Sequence, residues 1–76
     1  MSRTILDVQG LACPLPVLRA NKALRPLAPG DELEVLATDP AAPADFAQFC
    51  ETTGHALVSS DEAGDVFAIV VKKKGA

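Results

Sequence analysis

Two spacings of apolar residues alternate along the chain, and each predicts an element. Residues 4–8 (Thr-Ile-Leu-Asp-Val) form a short run whose apolar members are Ile5, Leu6 and Val8, the signature of a first strand, and Gly10 breaks it. From Pro14 onward, Val17, Leu18, Ala20, Leu24 and Leu27 recur at close to 3.6 residues, which predicts a helix with one buried face and with Arg19, Lys22 and Arg25 turned to solvent. Pro26 lacks a backbone donor and crowds the preceding turn, so this helix ends near Arg25 or finishes in an irregular last turn. Residues 31–38 alternate, with Leu33, Val35 and Ala37 on one side and Glu32 and Glu34 on the other, as a half-buried strand does. Asp39-Pro40 has the form of an N-cap followed by a first-turn proline, although Pro43 also allows a start near that residue. Phe46, Phe49, Cys50 and Thr53 give the second helix a short stripe, and Gly54 suits its C-terminal cap. Residues 56–60 and 66–72 predict two strands of an antiparallel hairpin around the turn Asp61-Glu62-Ala63-Gly64-Asp65. Residues 66–71 are apolar on both parities, so the last strand is expected in the sheet interior.

The order β-α-β-α-β-β predicts an α/β protein of the α+β two-layer sandwich type. Each strand–helix–strand unit favours a parallel pair with a right-handed crossover. With two helices, the economical solution packs both on one face of a four-stranded mixed sheet. Glu32 and Glu34 would lie on the other face. Seventy-six residues allow one small domain over 1–76, and a chain of that size buries only about 60% of its unfolded surface.

Composition narrows the partners. The formal net charge of −3 is the reverse of the basic surface that direct nucleic-acid binding requires, so none is expected. Lys72, Lys73 and Lys74 form one basic run, read as a solvated strand end. No apolar run approaches the roughly 20 residues of a membrane span. Met1-Ser2-Arg3-Thr4 leads straight into the first strand without a signal-peptide apolar region, so a cytoplasmic chain is expected. The two cysteines, Cys13 and Cys50, lack the spacing of a metal site with His55, which leaves both as free thiols and predicts no metal. Haem ligation would have one thiolate and one distant histidine.

Cys13 is the candidate for chemistry. With Pro14 at the first helical position, Cys13 would be the N-cap, where backbone donors and the helix dipole favour a thiolate. Pro14 and Pro16 have no N–H, so the Leu15 N–H is the expected donor to the sulfur, and the prolines stiffen the turn that Gly10 opens. Such a position can take a thiol from about 8.5 into the range of roughly 3.5–7.5. Arg19 and Lys22 are candidates for electrostatic support. No base is placed beside Cys13 by the sequence, and Cys50 lies within the apolar stripe of the second helix. A nucleophilic thiol with no base, no cofactor and no resolving cysteine suits sulfur exchange. The competing reading is a regulatory or protein-interaction domain in which Cys13 is only a helix cap.

Asp7-x-x-Gly10-x-x-Cys13-Pro14-x-Pro16, followed by Pro29-Gly30, Asp39-Pro40-Ala41, Asp45, Phe49-Cys50 and His55-x-Leu57, resembles the TusA family of small sulfur-carrier proteins, SirA-like members included. The resemblance spans nearly the whole chain and implies the two-layer fold already read. It implies that Cys13 carries sulfur as a persulfide with no other cofactor, and that Pro14 and Pro16 shape the turn around it. It also implies a cysteine desulfurase or a rhodanese-like protein as donor. The acceptor would be a protein of tRNA thiolation, molybdenum-cofactor sulfuration or sulfur oxidation. Leu15 stands where tRNA-thiolation members carry glutamate, which loosens assignment to that branch.

Overall fold

Residues 31–38 alternate because they form the strand that holds the sheet together. The computed structural model describes residues 3–75, so Met1 and Ser2, read as leading into the first strand, lie outside it. Its strands are β1 (Arg3–Asp7), β2 (Glu32–Ala37), β3 (Ala56–Ala63) and β4 (Val66–Lys72), and its helices are α1 (Leu15–Leu24) and α2 (Ala42–Thr53). They make a mixed sheet in the order β1-β2-β4-β3. β1 is parallel to β2, and β4 is antiparallel to both β2 and β3. β2 and β3 therefore run the same way, and the second crossover leaves one strand-width that β4 fills on its return. The expected α+β architecture is what forms.

The core lies on one face of this sheet. Leu33, Val35 and Ala37 are fully buried and stand opposite Val71, Ile69 and Phe67 across the β2–β4 pair. Ala20 and Leu24 of α1 and Phe46, Phe49 and Cys50 of α2 close over them. Residues 66–72 are interior as expected, with Ile69, Val70 and Val71 buried. On the opposite face Arg3 bridges Glu32 at 2.7 Å and Glu34 at 3.4 Å, an exposed, solvent-screened cluster that adds little to stability.

Several boundaries shift for local reasons. β1 ends at Asp7, but Val8 is buried and its N–H continues onto the Leu36 carbonyl at 2.9 Å. β3 runs on to Ala63, and Asp61 and Glu62, expected in the turn, pair with Ala68 and Phe67. The turn shrinks to Gly64-Asp65, where Gly64 takes a φ of 61°; a glycine at the first central position suits the two-residue hairpin turns that follow strand twist. A register shift between Leu57 and Ser59 displaces Val58 on this edge strand. Leu18 leaves the buried set and is 56% exposed, because α1 packs through Pro16, Ala20 and Leu24 and Leu18 falls two residues off that stripe. α2 starts at Ala42 with Ala41 as its N-cap, the later of the two expected starts. Asp39 precedes the cap, its carbonyl oxygen accepting from the Ala42 N–H at 2.9 Å.

The lysine run is not a solvated end. Lys73 Nζ donates to the carbonyls of Arg25 at 3.0 Å and of Leu27 just beyond α1, and Lys74 Nζ donates to Thr53 O at 2.9 Å. Cations at the C-terminal ends of both helices satisfy carbonyls left unpaired there and complement the helix dipoles. His55 Nδ1 accepts from the Lys74 N–H at 3.1 Å, which leaves its proton on Nε2, and the ring packs beside Phe49 with centroids 5.7 Å apart. Burial, then the charges of Lys74 and Lys73, lower the pKa of His55 from its usual 6.5.

The unfolded chain therefore binds this proton more tightly than the folded protein. The neutral ring's contribution to stability is present above the ordinary histidine value and is lost as pH falls through the depressed one. Thermal melts between pH 7.5 and 5 should show the midpoint falling once pH drops below about 6.5, and His55→Asn should flatten that limb. An equally steep limb in the variant would assign the titration to another group.

Candidate functional site

Parallel β1 and β2 send their carboxyl ends to one edge of the sheet, so the loops that follow them meet there. The first loop, residues 8–14, is folded by its own polar groups: the Gln9 N–H donates to Asp7 Oδ1 at 3.0 Å and the Leu11 N–H to the Val8 carbonyl at 3.2 Å. Gly10 turns the chain with a φ of 84°, a conformation that side chains disfavour. Two bonds then fasten this loop to the one after β2. The Gly10 N–H donates to Thr38 Oγ1 at 2.8 Å, and the Cys13 N–H donates to Asp39 Oδ2 at 2.7 Å. The other Asp39 oxygen accepts from the Ala41 N–H at 3.3 Å.

The helix start differs from expectation by one residue. Pro14, not Cys13, is the N-cap, so Leu15 and the buried Pro16 are the first two helical residues. The Leu15 N–H donates to the Ala12 carbonyl at 2.9 Å, closing a turn over Cys13 and Pro14 and leaving the sulfur without the predicted backbone donor. The Cys13–Pro14 peptide is cis. A reading of Cys13 as merely a helix cap has no place in this geometry, because Pro14 holds that position.

The electrostatics also reverse the expectation. The Cys13 sulfur and carboxylate oxygens of Asp39 and Asp45 all lie within 4.8 Å of one another. Asp45, in the first turn of α2, is placed to accept from the thiol. That interaction, then partial desolvation and the charges of Asp45 and Asp39, push the Cys13 pKa up. Arg19 and Lys22 do not figure among the groups acting on the sulfur; both project into solvent from α1. A soft thiol beside two hard carboxylates is a poorly matched donor set for a metal, and metal ligation would require removing a thiol proton whose retention these carboxylates favour.

Cys13 is exposed and Cys50 is buried, with burial raising the Cys50 pKa. An open cleft of about 300 Å³ begins at Cys13 and Pro14 and runs between the helices past Val17, Asp45, Gln48, Phe49, Thr52 and Thr53. His55 lines a separate depression with Asn21, Arg25 and Lys73, and Phe49 lies between that ring and the cleft, so no Cys–His pair forms. Of the residues singled out from the sequence, Gly10, Cys13, Pro14, Leu15 and Pro16 come together. Asp39 was read as a cap alone, and Asp45 carried no chemical signal of its own. The parallel placement of the two crossover loops was the clue that could have brought both carboxylates to the thiol.

The family model described as Sulfurtransferase TusA matches residues 4–73. The chain belongs to the TusA family. A candidate sulfur carrier protein of Neisseria meningitidis serogroup A is 54% identical over 74 residues, covering 97% of this chain and 100% of that protein. The sulfur carrier protein TusA of Allochromatium vinosum is 47% identical over 68 residues, covering 90% of each. The crystal structure of a SirA-like protein from Desulfitobacterium hafniense superposes with a TM-score of 0.79 at 25% identity, covering 97% of this chain and 99% of that one. No helix among the described residues is long and apolar enough to cross a membrane.

In this TusA-family chain the carboxylates beside Cys13 favour the protonated thiol. Alkylation of Cys13 by iodoacetamide, followed against pH, should show a midpoint above the ordinary thiol range, while Cys50 should react only after unfolding. A midpoint near neutrality would contradict the carboxylate-dominated site.

Proposed function

We propose that this chain is a sulfurtransferase acting as a protein sulfur carrier, with Cys13 as the persulfide-bearing residue. The observation that carries the reading is the contrast between its two thiols: one is exposed at the mouth of a cleft on the carboxyl edge of parallel strands, and the other is core. Family membership adds the chemistry. The Cys13 sulfur attacks the outer sulfur of a donor persulfide, a bond forms between the two, and the donor's own S–S bond breaks to release its thiol. An acceptor thiolate then attacks the outer sulfur on Cys13, and Sγ departs. Sulfane sulfur moves without net oxidation or reduction, so the chain needs no cofactor beyond the covalent sulfur. The rates follow thiolate fraction, leaving-group pKa and access, as in thiol–disulfide exchange.

The donor in this reading is a cysteine desulfurase or a rhodanese-like protein of the cytoplasm. The acceptor belongs to tRNA thiolation, molybdenum-cofactor sulfuration or sulfur oxidation. Leu15, 43% exposed, and Leu18, 56% exposed, present apolar area on the α1 turns beside the thiol, with Arg19 and Lys22 along the same helix, which supports protein partners. The acidic balance of the chain disfavours direct contact with nucleic acid.

Incubation with a cysteine desulfurase and cysteine, or with a rhodanese and thiosulfate, should add one sulfur, about 32 Da, by intact mass, and reduction should remove it. Cys50→Ser should keep the adduct and Cys13→Ser should lose it. Retention in Cys13→Ser would overturn the assignment of the carrier residue.

A further inference from the structure

We propose that Asp45 is the general acid–base residue of the sulfur exchange at Cys13, its carboxylate receiving the thiol hydrogen as the new S–S bond forms and relaying a proton back to Sγ as that bond breaks. This rests on the carrier reading above and assigns a second residue to the reaction. The placement supports it. Asp45 stands in the first turn of α2, half-buried, and lines the cleft that opens at Cys13. Its carboxylate, that of Asp39 and the sulfur form one cluster within 4.8 Å. The two carboxylates are not equivalent. Asp39 spends both oxygens on backbone donors, Oδ2 on the Cys13 N–H at 2.7 Å and Oδ1 on the Ala41 N–H at 3.3 Å. Asp45 makes no such bond to the loop and is the leading influence on the thiol. The remaining lining of the cleft, Pro14, Val17, Gln48, Phe49, Thr52 and Thr53, is uncharged, so Asp39 and Asp45 are the titratable groups that face the sulfur.

The balance of the step is closed. In loading, the Cys13 sulfur bonds to the donor's outer sulfur, the donor S–S bond breaks, and the departing donor sulfur takes up a proton. The Cys13 hydrogen goes to Asp45 and from there to the donor thiolate or to water. A carboxylate is far too weak a base to strip a free thiol beforehand, so the transfer accompanies bond formation, when Sγ loses its basicity to the new sulfur. In unloading the order reverses: Sγ leaves as a strongly basic thiolate, a poor leaving group unless protonated as it goes, and Asp45 relays to it a proton taken up from water. Between these steps the carboxylate repels the anionic outer sulfur and turns it out of the cleft toward a partner.

The test separates holding the proton from moving it. Asp45→Asn is nearly isosteric, and Asp45→Glu keeps the charge as the rescue variant; circular dichroism and thermal melts establish that both fold. In Asp45→Asn the midpoint of Cys13 alkylation by iodoacetamide should move to lower pH, so that alkylation at pH 7.5 speeds up severalfold. Persulfide loading from a cysteine desulfurase with cysteine, scaled to the alkylation rate at the same pH, should fall on the order of tenfold. Asp45→Glu should restore most of the loading. An unmoved alkylation midpoint in Asp45→Asn, or scaled loading as fast as in the unaltered protein, would overturn the proposal. Failure of the unaltered protein to load would instead defeat the carrier reading, and the alkylation arm would still report whether Asp45 governs the thiol.

Discussion

The Cys13 N–H on the Asp39 carboxylate joins two loops that are distant in sequence and adjacent because their strands are parallel. Beyond the packing of Leu11 against the core, that bond and its companion from the Gly10 N–H to Thr38 are what fasten residues 9–13 to the rest of the sheet edge. With both, the loop takes its position from β2, an interior strand of the sheet. Leu33, Val35 and Ala37 fix β2 against the helices, β2 fixes Thr38 and Asp39, and these fix the backbone that carries the sulfur. Precision at the thiol thus comes from core packing and is handed over by two hydrogen bonds.

That dependence explains which features could be read from the sequence. Periodicity is a local signal, and it located every strand and helix, the inward face of β2 and the interior place of β4. It also separated the exposed Cys13 from Cys50, because a cysteine between phenylalanines on a helix stripe is core and one in a Gly/Pro-rich turn is not. It misassigned the helix cap because Pro14 and Pro16 are both tolerated in a first turn, and only the bond from Leu15 to Ala12 decides between the two registers. The carboxylates near the sulfur were hidden for a different reason. Asp39 and Asp45 come from the second crossover, and their approach to Cys13 is set by sheet order. Lys73 and Lys74 were misjudged likewise: a basic run at the end of a strand looks solvated until the helix ends beside it are known.

The site also inverts the usual expectation for a reactive cysteine. A helix N-terminus and nearby cations stabilise a thiolate, whereas here the neighbours are carboxylates, which favour the protonated thiol. By the rate laws of sulfur exchange, a more basic sulfur is a better nucleophile once ionised and a poorer leaving group. A carrier has to serve as both, first attacking and later departing. A carboxylate within reach of Sγ suits that alternation better than a permanently depressed pKa would.

The buried position of Cys50 has a consequence for whatever Cys13 holds. With Phe49 and the body of α2 around it, the second thiol has no line of approach to the first. A sulfur atom attached at Cys13 therefore cannot be expelled as hydrogen sulfide by an internal disulfide closing behind it. On the proposed reading, its lifetime is governed by encounters with other molecules.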